Sequence, residues 1–149
     1  MYTQLKEANI EELLSNNFIG RMACCNGNKP YIVPITYYYD KPNNSIIGYS
    51  AEGTKINMLR RNPNVCFEVD EVTSIANWKS VIAHGTFQEL AGADKRNAEH
   101  LFVSKLRELI NNPDHHLFIK DLSAATSEND VIVVYRINLN NKTGRSQEE

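Results

Sequence analysis

The residues Tyr49-Ser50-Ala51-Glu52-Gly53-Thr54-Lys55 carry an apolar run through a tight turn into a short helical pattern, and their types suit the capture of an anion. Gly53 opens backbone geometries closed to other residues, Thr54 offers a hydroxyl and Lys55 a positive charge. A helix starting there presents N–H groups with no partner inside the helix. A phosphate is the natural occupant of such a corner. The long glycine-rich lead of a nucleotide-triphosphate loop is missing, so the expected ligand is smaller than ATP. The same residues also read as a plain turn followed by an N-cap. Lys55 is then either the cation of a phosphate site or a solvated lysine at a helix start. The helix macrodipole weighs against the second, because it disfavours a cation in the first turn unless an anion is near.

Other reactive side chains are scattered. His84 shares a strand face with Ser80 and Ile82, opposite Val81 and Ala83, and either projects toward a ligand or is solvated. His115 and His116 have no cysteine or carboxylate at ligand spacing, and no metal site is expected. Cys24 and Cys25 cannot both present thiols on one face of a strand. No nucleophile is paired with a base, so catalytic residues are not identifiable. Arg60 and Arg61 either help to neutralise a phosphate or simply suit the negative end of a helix.

The elements that position these groups follow from periodicity. A short helix over 10–17 places Ile10, Leu13 and Leu14 on one face. Strands over 21–25 and 31–40 flank the turn Asn26-Gly27-Asn28-Lys29-Pro30 as a hairpin, and Lys41-Pro42-Asn43-Asn44 returns the chain into a strand over 45–50. The helix over 54–62 ends at Pro63. Val65, Phe67 and Val69 alternate with Cys66, Glu68 and Asp70, and residues 80–90 form a further strand in which Gly85 marks a bend or bulge. Helical spacing of Ala98, Leu101, Phe102, Leu106, Leu109 and Ile110 runs over 93–111 to Pro113. A last strand over 131–137 precedes a tail over 138–149. Six or so strands joined mostly by short turns predict a mainly β protein, a small antiparallel barrel with peripheral helices.

The chain has 149 residues, 42% of them hydrophobic, and a formal net charge of −2, which predicts a single domain over 1–149. Interspersed charges leave no basic face for nucleic acid and no polybasic segment for a membrane. The start of the chain lacks an apolar signal core, and three cysteines make a disulfide framework improbable, so a cytoplasmic location is expected.

The order of motifs is itself informative. Phe18-Ile19-Gly20-Arg21-Met22-Ala23, Pro30-Tyr31-Ile32-Val33-Pro34-Ile35-Thr36-Tyr37, Ser50-Ala51-Glu52-Gly53-Thr54-Lys55, Arg61-Asn62-Pro63-Asn64-Val65-Cys66-Phe67-Glu68-Val69 and Trp78-Lys79-Ser80-Val81 with Gly85 occur in sequence. Together they resemble the flavin-binding split-barrel superfamily, and within it the pyridoxamine 5'-phosphate oxidase-related proteins of the nitroimidazole-resistance type. The resemblance runs from about residue 13 to 90 and resumes near the tail. It implies a six-stranded antiparallel Greek-key split barrel.

The resemblance further implies a homodimer with FMN at the subunit interface. The phosphate would lie near Ser50, Ala51, Gly53, Thr54 and Lys55, and the ring along Val33, Pro34, Ile35 and Thr36. Pro34 removes a backbone donor, so it marks either interrupted pairing whose freed backbone serves the flavin, or merely an edge strand. Trp78, Lys79 and Ser80 approach the flavin by resemblance, although packing alone accounts equally for Trp78. Lys142-Thr143-Gly144-Arg145 matches a Thr-Gly-basic segment that reaches the cofactor in related chains, and otherwise reads as a disordered tail. The implied activity is reduction of a small electron-poor organic molecule, a 5-nitroimidazole being one candidate, with NAD(P)H as reductant. The alternatives are a flavin- or haem-binding protein without turnover and, third, pyridoxamine 5'-phosphate oxidase itself. The third is disfavoured because Tyr135-Arg136-Ile137-Asn138-Leu139 lacks the proline of the family's closing Arg-Leu-x-Pro segment.

Overall fold

The computed structural model describes residues 2–109 and 132–149. In chain order the elements are β1 (Thr3–Gln4), α1 (Glu7–Asn16), β2 (Ile19–Asn26), β3 (Lys29–Thr36), β4 (Tyr38–Asp40), a 3-10 turn (Lys41–Asn43), β5 (Ser45–Ala51), α2 (Thr54–Arg61), β6 (Asn64–Ser74), β7 (Asn77–Glu89), α3 (Gly92–Leu109) and β8 (Ile132–Gln147). All strand pairs are antiparallel, in the order β3-β2-β6-β7-β8-β5-β4, with β1 added to β8. Six strands are long and β1 and β4 are short, which agrees with the expected strand number. The sheet is open between β3 and β4, its two edges, and only Tyr37 joins them in sequence. This is a split barrel.

Alternation decides what faces inward. Val65, Phe67 and Val69 of β6 and Val81 and Ala83 of β7 enter the interior with Met22, Ile35, Tyr135 and Ile137. Helix α1 closes one end with Ile10, Leu13 and Leu14, and the Tyr37 hydroxyl donates to the Leu14 carbonyl at 2.8 Å, a group the helix end leaves unpaired. Helix α3 covers a second cluster outside the sheet, where Ala98, Phe102 and Leu106 meet Ile47, Leu90 and Val134.

Several sequence-based boundaries move. The hairpin turn tightens to Gly27 and Asn28, with Gly27 at φ +59° as such turns require, and β3 begins at Lys29. Strand β7 starts at Asn77, three residues early, and its ladder with β8 shifts register between His84 and Gly85, the expected bulge. A side chain at Gly85 would lie 2.5 Å from the Asn138 carbonyl oxygen, so close backbone approach requires glycine there. The largest correction concerns the tail. Residues 138–147 continue β8, pairing with β7 as far as Trp78↔Gln147 and with β1. The ladder's hydrogen bonds, not an apolar pattern, hold this polar stretch in the sheet. The end of the expected 93–111 helix, together with His115 and His116, lies outside the described residues.

Candidate functional site

Strand β5 delivers Ser50 and Ala51 to the start of α2, which packs against β2. Gly53 precedes the helix with φ 169° and ψ −164°, an extended conformation open to any residue, and a side chain built there would meet nothing within 4 Å. The expectation that Gly53 supplies a special backbone geometry is therefore corrected: no intramolecular contact requires a glycine, and the space beside it is open. Lys55 is half-buried, and burial lowers its pKa from the ordinary lysine value, with the nearby Cys24 thiol, itself raised by burial, opposing the shift only in part. Among the described residues no carboxylate pairs with its ammonium. An ammonium withdrawn from water without a counter-ion is costly, and an anion at the open corner would relieve it.

Val33 and Ile35 of β3 turn inward, whereas Pro34 and Thr36 face outward. Pairing is not interrupted at Pro34, which sits opposite Arg21 in a continuous ladder. Because β3 is an edge strand, a proline is tolerated where its nitrogen points away from β2. By the two-residue period, Ile32 and Thr36 direct their backbone groups to the same free edge.

Trp78, Lys79 and Ser80 open β7, and Ser80 lies between Asp70 of β6 and Arg145 of β8. Trp78 packs on Tyr2 with ring centroids 5.5 Å apart. This group is remote from the α2 corner: Ser50 pairs with Val133 and Ser80 with Arg145, positions 12 residues apart on the same strand. At roughly 3.3 Å per residue that is about 40 Å of contour along β8, which sets the two groups well apart in the sheet. Ser50, Ala51, Gly53, Thr54 and Lys55 thus form one cluster, and Trp78, Lys79, Ser80 and Arg145 another.

Lys142 joins neither. It alternates with Arg145 across the strand, points toward α1, and donates to Glu11 and, at 3.0 Å, to the Tyr39 hydroxyl. Burial alone would raise the Glu11 pKa, but the hydrogen bonds from Lys142 and Tyr39 outweigh it and hold the carboxyl below its ordinary value. Arg60 is committed as well, to Glu52 and Glu89. His84 stands exposed on the outer face, opposite Cys66. Sequence reasoning did not single out the cluster beside Ser80, in which Arg21 approaches Glu68 at 3.8 Å and Asp70 at 3.9 Å. Only the i, i+2 acidic spacing of Glu68 and Asp70 on a strand hinted at it. Burial, then the neighbouring Asp70, pushes the Glu68 carboxyl up to about 7, with Arg21 offsetting part of the rise.

The fold is an open antiparallel split barrel, and sequence comparison points to a family of the same kind. The profile of the pyridoxamine 5'-phosphate oxidase family matches residues 6–146, and the chain belongs to that family. An uncharacterised protein of Rhizobium meliloti (strain 1021) is 31% identical over 128 residues, spanning 86% of this chain and 83% of its own. Among solved structures, an FAD-binding protein from Mesorhizobium loti is 28% identical, covers 99% of both chains and superposes with a TM-score of 0.75. A candidate 5-nitroimidazole antibiotic resistance protein from Bacteroides thetaiotaomicron VPI-5482, 18% identical over 98% of this chain and 87% of its own, shares the fold with a TM-score of 0.71.

Proposed function

We propose that the protein is a flavoprotein that binds FMN between two copies of the chain and reduces small electron-poor organic molecules with electrons from NAD(P)H. The observation that carries the reading is Lys55, a half-buried cation with no carboxylate partner among the described residues, beside the open space at Gly53. Ser50, Ala51, Gly53, Thr54 and Lys55 would hold the phosphate, and Val33, Pro34, Ile35 and Thr36 would lie along the ring. The flavin supplies the hydride and electron chemistry when bound, which fits the lack, among the described residues, of a nucleophile paired to a base. The protein's own residues bind the phosphate, orient the ring and exclude water from one side of it.

The separation of the two clusters along β8 supports the homodimer. Trp78, Lys79, Ser80 and Arg145 would then meet a flavin held at Lys55 from another copy. Exposed Ile19, Ile32 and Ile82 on the outer sheet face give that copy an apolar surface to cover. Lys142 is left out of the proposed site because Glu11 and Tyr39 occupy its amine.

FAD is the second reading for the cofactor, favoured by the Mesorhizobium loti neighbour described as FAD-binding. A pyridoxamine phosphate substrate is not supported, since the half-buried Arg136 is engaged in a 2.8 Å ion pair with buried Asp40 and also bonds Ser45. The absorption spectrum of the purified protein, with mass analysis of the released cofactor, separates FMN, FAD and haem. NAD(P)H oxidation that depends on an added nitroimidazole would support turnover, and bound flavin without turnover across acceptors would leave a binding protein. Colourless protein that ignores added FMN and FAD would end the proposal.

A further inference from the structure

Glu52 lies one position before Gly53 and three before Lys55, where a carboxylate would compete with a phosphate for the lysine. It does not compete here. Arg60, in the last turn of α2, holds it with two parallel bonds, Nη1 to Oε2 at 2.8 Å and Nη2 to Oε1 at 2.7 Å. The same guanidinium binds Glu89 at the end of β7 through Nε at 3.0 Å and Nη2 at 2.8 Å. These bonds hold the Glu89 carboxyl below its ordinary value. The Arg60, Glu52 and Glu89 side chains are 38%, 43% and 41% exposed, and exposed pairs add little to stability. A guanidinium fixed by two carboxylates in paired geometry is nonetheless well defined in position.

We propose that Arg60 is a positioning residue: by sequestering the Glu52 carboxylate along the flank of α2, it keeps Lys55 free to pair with the cofactor phosphate. This rests on the flavin reading above. It also reverses the role that Arg60 suggests by sequence, because the guanidinium meets carboxylates and contributes by removing a competitor rather than by contacting the phosphate. Loss of Arg60 would release the Glu52 carboxylate, leaving it able to turn onto Lys55. The consequence is specific to the phosphate, so riboflavin, which has the same ring and ribityl chain without it, should be indifferent.

Wild type, Arg60→Gln, Glu52→Gln and the double variant would be titrated with FMN and with riboflavin, with thermal melts to show that each folds. Arg60→Gln is expected to weaken FMN about tenfold, as befits loss of one charged contact. Riboflavin affinity should stay within about twofold, and adding Glu52→Gln should return FMN affinity to near the wild-type value. The proposal is overturned if Arg60→Gln leaves FMN binding unchanged, if it weakens both flavins equally, or if the double variant stays weak. The last outcome would mean that Arg60 merely anchors the loop, since Glu52→Gln loosens that anchor too. A wild type that binds neither flavin removes the underlying reading and this one with it. Normal wild-type binding with an insensitive Arg60→Gln overturns this one alone.

Discussion

Two side chains sit in environments that oppose their charge, and both make testable claims. Lys55 is half-buried with no carboxylate partner among the described residues, so burial disfavours its charge and a bound anion would relieve it. Lys55→Ala is expected to cost about 1.5 to 3 kcal/mol of FMN affinity, the usual worth of a hydrogen bond to a charged group. Titration of apo-protein would show it, and an unchanged dissociation constant would remove Lys55 from the site. Glu68 is the second case, its carboxyl raised from 4.5 to about 7 by burial and by Asp70. The folded chain then holds a proton that the unfolded chain releases, so this residue lowers stability as pH rises between those values. Glu68→Gln should flatten that part of the profile and be the more stable protein at about pH 8. Denaturant melts across the window would reveal it, and superimposable profiles would refute it. Residue types were readable from sequence, but their partners were not. Lys142 looked available to the cofactor and Arg60 to its phosphate, whereas Glu11 holds the first and Glu52 and Glu89 the second.

At the scale of elements, apolar alternation was a faithful guide wherever one face is buried. Val65, Phe67 and Val69 marked β6, and the spacing of Ile10, Leu13 and Leu14 marked α1. It failed where a strand is held by its neighbours instead. Residues 138–147 carry asparagine, lysine, threonine and glycine, yet Lys142, Gly144 and Ser146 lie toward α1 and β1 while the backbone pairs with β7. A side chain at Gly144 would press on Leu5 and Ile10 at 2.8 to 3.0 Å, a constraint visible only once the strand is in place. The end of β8 is thus structural. Truncation after Leu139 would strip the partner from β7 between Trp78 and His84 and expose the core beneath α1. Such a chain is expected not to fold, as read by circular dichroism and resistance to protease. Retention of both would show that the polar half of β8 is dispensable.

For the whole molecule, the proposed flavin site depends on how the topology spaces its residues. Strand β8 is long enough to hold Val133 beside Ser50 at one end and Arg145 beside Ser80 at the other, which divides the residues of the proposed site between its two extremities. The fold was foreshadowed by the order of motifs, but this division was not, because sequence gives no distance between segments that pair with the same strand. If each flavin is held by Lys55 of one copy and Arg145 of the other, variants defective in opposite halves should complement. Lys55→Ala and Arg145→Ala homodimers would each bind FMN weakly at every site. In a mixed dimer one site carries both substitutions and the other carries neither. After unfolding and refolding together in equal amounts, about a quarter of all sites should recover tight binding, since half the dimers are mixed and half of their sites are intact. Fluorescence titration at the wild-type dissociation constant would count them. No recovery at all, with both variants dimeric, would place the two clusters in separate sites and return the flavin to a single subunit.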